Sequence, residues 1–195
     1  RERQWRAELL VNGSQRLVGH FGTFGEHVAG ALRPIVETLL HEREDVTVVC
    51  AGKGSEAFVE AVRRANDSVS ARIVATGTMA NEEIAAVLRA CDVLIQPYPD
   101  GVTTRRTSIM AGIANEVATV TSHGALTERI WEEPAAVAMA PASQPRAHVR
   151  QIVSLLDDEP QRRALAQSGA RFYDARCSIE ATVDVLLGER LAATA

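Results

Sequence analysis

Lysine is nearly absent from this sequence. Of 21 basic residues only Lys53 is not arginine, and with the many alanines this reads as codon bias more than function. Acidic residues number 25, for a net charge of −4, so nothing in the balance points to nucleic acid or an anionic surface. Cysteine is scarce too. Cys50, Cys91 and Cys177 are odd in number, far apart and without a C-x-x-C pair. That excludes a cysteine zinc framework and fits buried thiols in a reducing compartment. No apolar run reaches membrane-spanning length, and no signal-peptide pattern is present, so a cytoplasmic location is expected. His20, His27, His123 and His148 are scattered without metal-ligand spacing. There is no P-loop.

What is present suits one sizeable domain: 195 residues, 46% hydrophobic and 24% charged, enough for a real core and too few for two full domains. The chain opens on the amphipathic, Met-less RERQWRAELL and is expected to be a piece of a longer protein. Residues 1–15 read as a linker or leading helix and residues 16–195 as the domain. Apolar runs at 16–20, 46–50, 72–75, 92–96, 117–121 and 136–140 predict strands. Between them, helical stripes at 26–42, 57–65, 81–91 and 107–114 predict helices. Asn81 is the expected cap of the third, with two acids following. Extra C-terminal helices are predicted at 143–157, 160–172 and 178–191, the second with Pro160 first. The strands carry little polar alternation, as expected when both faces are buried. The reading is an α/β, doubly wound, Rossmann-like sheet of about six parallel strands with helices on both faces.

Ligands of such sheets bind beyond the carboxyl ends of the strands, and five of the loops there contain glycine. GKGSEA, residues 52–57, matches a dinucleotide fingerprint. It follows the second strand rather than the first, and the next strand ends in Thr76 and Gly77 with no acid for a ribose, which argues against an NAD site. GTFG, residues 22–25, offers amides for an anion nest or is a turn packing Phe21 and Phe24; the sequence leaves both open. His20 and His123 each end a strand.

DGVTTRRTS, residues 100–108, is the strongest signal. Pro97, Pro99 and Gly101 predict a rigid turn, with Thr103 or Thr104 capping the helix that follows. Amides of 102–105 would then form an anion site. Arg105 and Arg106 near a helix start oppose its dipole at about 0.3–1 kcal/mol each. An anionic ligand would reverse that cost, and guanidinium geometry suits phosphate.

The runs LVGHFGTFG, CAGKGSEAF, ACDVLIQPYPDGVTTRRTS, AGIANEVATVT and SHGALTERIW together resemble the C-terminal domain of group-1, GT-B-type retaining glycosyltransferases, over most of residues 16–190. The resemblance implies a nucleotide-sugar donor domain whose acceptor partner is an N-terminal domain. It places Asp100 at the first acid of a Glu-x7-Glu motif, contacting sugar hydroxyls. Gly101, Val102, Thr103 and Thr104 would offer amides to the diphosphate, with Gly22 and Thr23 facing it. Thr76, Gly77 and Thr78 would hold the base, and Ser108 would stand where the second Glu meets the ribose. His20 occupies the usual Arg region and no Lys follows it, so Arg105 and Arg106 are expected to replace the missing cations. Asn115, Glu116 and Val117 replace Gly-x-Pro, with Asn115 expected to take the left-handed turn.

The resemblance thus implies a donor-binding domain of a retaining hexosyltransferase, inactive without its N-terminal domain and needing no cofactor or metal. Its partners are the nucleotide-sugar donor and that missing domain, through which alone any peripheral membrane contact is expected. The alternative is a catalytically dead nucleotide- or ligand-binding domain of the same fold, favoured by the departures at Ser108 and His20. An NAD-binding domain rests on GKGSEA alone. The final helices, 160–191, are expected to leave an apolar face exposed.

Overall fold

The computed structural model describes residues 1–11, 13–132 and 135–188. It contains a six-stranded, all-parallel sheet: β1 (Arg16–Phe21), β2 (Val46–Ala51), β3 (Ile73–Gly77), β4 (Val93–Gln96), β5 (Thr119–His123) and β6 (Ala138–Pro141). Their spatial order is β3-β2-β1-β4-β5-β6. The helices are α1 (Glu2–Leu9), α2 (Glu26–Glu42), α3 (Ser55–Ala65), α4 (Asn81–Ala90), α5 (Thr107–Ala114), α6 (Pro145–Asp157), α7 (Glu159–Arg176) and α8 (Ile179–Leu186). Short 3₁₀ turns lie at Asp67–Arg72 and Arg129–Trp131. The doubly wound α/β expectation therefore holds.

Alternation along each buried strand feeds two cores. Val46, Val48 and Cys50 of β2 join Leu32, Ile35 and Val36 of α2, Phe58 and Val59 of α3, and Ile152 and Leu156 of α6. Val49 and Ala51 turn to the other face, against Val87 and Leu88 of α4. A third cluster, around Trp131, Ile109, Ile113 and Phe172, packs α5 against α7. Each fully buried aliphatic contributes about 1.5–3 kcal/mol of transfer free energy. Arg6 ties α1 to this body through the Ala90 carbonyl (2.7 Å) and Asp92 (2.9 Å).

Several local expectations are corrected. Asn81 is the first residue of α4, not its cap; the Ala80 carbonyl starts the ladder by accepting from Glu83 and Ile84. Neither Thr103 nor Thr104 caps α5, which begins at Thr107 after Arg106. The segment before it is held out of helix: Val102 N–H donates to the Ser122 carbonyl, and Arg106 N–H closes a turn on Thr103. Asn115 is not the left-handed residue. Its side chain bonds Ala111 O (2.8 Å) and Arg89 (2.7 Å), and Glu116, at φ 56°, makes the turn. Asp158 caps α7, with Glu159 ahead of Pro160. The last helix is shorter than 178–191, and residues 189–191 of that expectation lie outside the described residues.

The strand order reverses between β1 and β4. A crevice opens there beyond the carboxyl ends, the usual ligand position in such sheets. Residues 22–25 and 97–106 flank it.

Candidate functional site

Three loops are knitted together on one side of the crevice. Gly22 N–H donates to Ala51 O, Phe24 N–H to Lys53 O, and Gly52 N–H to Gly77 O. Gly77 N–H in turn donates to the buried Ser55 hydroxyl at 3.0 Å. Gly52 sits at φ 117°, and a Cβ there would stand 2.2 Å from Gly22 O, so the close approach requires glycine. With the Gly22 and Phe24 amides spent, residues 22–25 are not an open nest. Phe24 instead packs edge-on against His20 and tilted against Phe58.

Two cavities adjoin at this point. The larger, about 320 Å³, takes in Gly52, Lys53, Thr78, Met79 and Ile84. The smaller, about 190 Å³, takes in His20, Val28, Tyr98, Arg105 and Arg106. Phe21, Gly22, Thr23, Thr107 and Ser108 line both. Three cations and no carboxylate line the pair among the described residues. Such a cleft attracts anions and concentrates them at its walls.

The structure thus brings together Gly22, Thr23, Thr78, Arg105, Arg106 and Ser108 of the residues singled out from sequence. It leaves Asp100, Gly101, Val102, Thr103, Thr104, Thr76 and Gly77 outside both cavities. Asp100 is exposed, and its carbonyl accepts from Leu126 N–H. The amide cradle expected at 101–104 is largely spent internally. Gly101 N–H donates to Tyr98 O and Val102 N–H to Ser122 O. Thr104 N–H donates to the Glu128 carboxylate at 2.6 Å. His123 lies outside both cavities, beside Glu132 at 3.5 Å.

Tyr98 organises the wall of the smaller cavity. Its amide donates to Ser122 Oγ at 3.0 Å, and that hydroxyl lies 3.0 Å from His148 Nε2. The phenol lies 2.8 Å from Ser108 Oγ in the first turn of α5. Burial pushes the phenol up to about 12, so it stays protonated. Arg106 lies over the ring, its guanidinium carbon 4.8 Å from the centroid. This stacking offsets part of the cost of holding Arg106 at the N-cap of α5, the positive end of the helix dipole.

His20 forms the floor, only 2% exposed. Its Nδ1 lies 2.7 Å from Ile95 O, which fixes the Nδ1–H tautomer, since a carbonyl only accepts. Nε2 is buried with no hydrogen-bond partner among the described residues. Desolvation lowers the imidazole to about 4, against the opposing effect of that carbonyl. The ring is therefore neutral near pH 7.

Sequence reasoning missed Lys53, Tyr98, Met79 and Ile84. The signal for Lys53 was its being the sole lysine, set in a glycine loop at a strand's carboxyl end. Cys50 and Cys91 are buried, and burial pushes both thiols up, which leaves them unreactive. No helix among the described residues is long and apolar enough to cross a membrane, and no acid–histidine–cysteine cluster there is arranged to hold a metal.

A family model described as glycosyl transferases group 1 matches residues 15–158. No curated protein matches the sequence. Among solved structures, the chain is similar to the C-terminal domain of a group 1 family glycosyl transferase, LpcC, from Francisella tularensis. The TM-score is 0.74 at 16% identity, covering 92% of this chain and 93% of that one. Anabaena Alr3699/HepE, solved in complex with UDP and glucose, superposes at TM-score 0.79 and 16% identity over 98% of this chain and 51% of its own. A glycosyltransferase from Rickettsia africae gives 0.78 at 13% identity, over 95% and 50%. At such identities these likenesses speak to the fold. The chain spans about half the length of the latter two.

Proposed function

The chain belongs to the group 1 glycosyl transferases, and we propose that it is the donor-binding half of a retaining member, holding a nucleoside diphosphate sugar while a second domain presents the acceptor. The observation that carries this reading is the pair of cavities at the strand-order reversal, lined among the described residues by Lys53, Arg105 and Arg106 and by no carboxylate. The UDP named with HepE is the precedent for a nucleotide ligand on this fold. Phe21, Met79 and Ile84 give the larger cavity apolar walls suited to a base, beside Thr78. The diphosphate lies along the seam, where the three cations and the first amides of α5 neutralise it. When the glycosidic bond breaks, charge builds on the leaving phosphate. Fixed cations there stabilise that charge without reorganising, which is how Arg105, Arg106 and Lys53 take over for the cations absent after β1. Asp100, in the loop after β4 though outside both cavities, is the acid we assign to contact with the transferred sugar. Acceptor binding belongs to the other domain, so this chain alone transfers nothing, and the reaction calls on no metal or cofactor.

A catalytically dead binding domain is the second reading, favoured by Ser108 standing where a carboxylate is expected. An NAD site is disfavoured: the Gly52 amide is spent on Gly77 O, and Gly52 itself packs on Gly22. A thermal-shift panel of UDP, GDP and ADP, their sugar conjugates and NADH tests the assignment. Stabilisation by a nucleoside diphosphate and not by NADH is expected; the reverse overturns it. Sugar transfer by the two-domain protein separates an active enzyme from a dead one.

A further inference from the structure

We propose that His20 recognises a carbohydrate hydroxyl of the bound donor, accepting its hydrogen bond at Nε2 while Ser108 Oγ donates from the opposite wall. This rests on the donor-site reading above. His20 Nε2 is an acceptor with its partner missing. It is buried, it borders the smaller cavity, and its tautomer is fixed by Ile95. A buried polar atom left unpaired is costly, and the cavity is the side from which a partner can come.

Ser108 completes the pair. The Tyr98 phenol lies 2.8 Å from Ser108 Oγ, and either hydroxyl can donate in that pair; in the proposed arrangement the phenol donates and Ser108 Oγ accepts. The Ser108 proton is then left to donate into the cavity. Gly22, at φ 151°, keeps the space between them open. The point where its Cβ would stand is 3.9 Å from His20 Nε2 and 3.7 Å from Ser108 Oγ. A hydroxyl gives and accepts one hydrogen bond at once and satisfies both walls. A phosphate oxygen ionised at neutral pH has no proton to offer Nε2, and the neutral ring offers it no charge. His20 therefore does not substitute for a phosphate-binding arginine. It divides the site, with diphosphate on the cations and a hydroxyl on the imidazole.

The hydroxyl belongs either to the ribose or to the transferred sugar, and ligand choice separates them. His20→Asn keeps a side-chain N–H for Ile95 O and removes the Nε2 acceptor; His20→Gln puts an oxygen near the Nε2 position. Calorimetry on the chain with UDP, GDP, ADP and their sugar conjugates identifies the tightest base. For that base, His20→Asn is expected to weaken binding about tenfold, as for one lost hydrogen bond to a buried acceptor, with recovery in His20→Gln. A loss shared by the bare diphosphate and absent for its 2′,3′-dideoxy analogue assigns the ribose. A loss confined to the sugar conjugate assigns the sugar. Equal binding of every probe by wild type and His20→Asn overturns the role of His20 alone. Failure of all probes to bind the wild type overturns the donor site and this role with it. Should His20→Asn not fold, the ¹⁵N resonance of His20 Nε2 in the wild type decides. It is expected to move upfield on saturation with the tightest probe, and an unmoved resonance overturns the proposal.

Discussion

The phenol of Tyr98 lies 2.8 Å from Ser108 Oγ, joining the exit of β4 to the first turn of α5 in one hydrogen-bonded unit. Tyr98 is itself fixed from behind by Ser122 and His148, so the position of Ser108 is set by the sheet. Tyr98→Phe is expected to cost about 1 kcal/mol in urea denaturation, since it deletes the bond to Ser108 while preserving the ring. Nucleotide binding should weaken as well. An unchanged affinity would separate Ser108 from the ligand.

The arginines ahead of α5 are expected to matter for anions and little for folding. Arg105→Ala with Arg106→Ala should leave stability within about 1 kcal/mol, Arg106 giving up its contact with Tyr98. Calorimetry should show diphosphate affinity falling more than about tenfold, with a shallower salt dependence.

Gly52 is expected to be among the least replaceable residues. Gly52→Ala places a Cβ 2.2 Å from Gly22 O at φ 117°. Strain and backbone clash together predict about 3 kcal/mol or more of destabilisation, read from urea midpoints. Full stability would mean that the two loops separate without cost.

Stability should fall in mild acid. His20 is held near 4 in the fold against an ordinary 6.5, so the unfolded chain binds the extra proton first. The neutral ring costs nothing above pH 6.5. As pH falls from there toward 4, the fold loses up to about 3 kcal/mol. His148, lowered by burial, acts in the same direction. Asp45, whose carboxyl Arg43 holds below its ordinary 3.8, adds its loss only further down. Urea midpoints of wild type and His20→Phe across this range should show a smaller pH slope in the variant.

The fold was legible because buried parallel strands write themselves as β-branched runs such as VTVVC, and α2 carries an unbroken apolar stripe. The arginines were legible from the Pro, Gly and Thr around them, and Ser108 only through the family resemblance. The amide cradle at 101–104 was not, because Glu128, 24 residues on, reaches back to Thr104, and no local pattern announces such a contact. The start of α5 was missed for a related reason: the Val102 amide is committed to the end of β5. The tautomer of His20 depends on Ile95, a neighbour that only strand pairing supplies. Lys53 was visible as the lone lysine, but codon bias was the simpler explanation until the loop was seen beside the cavity.

The most direct measurement is a calorimetric titration of UDP, GDP and ADP at low salt into the wild type and a Lys53→Ala, Arg105→Ala, Arg106→Ala variant. Submillimolar binding of at least one diphosphate by the wild type, lost in the variant while its urea midpoint is retained, is the predicted result. Binding unchanged in the variant, or no binding by the wild type, would contradict a cationic donor site at this seam.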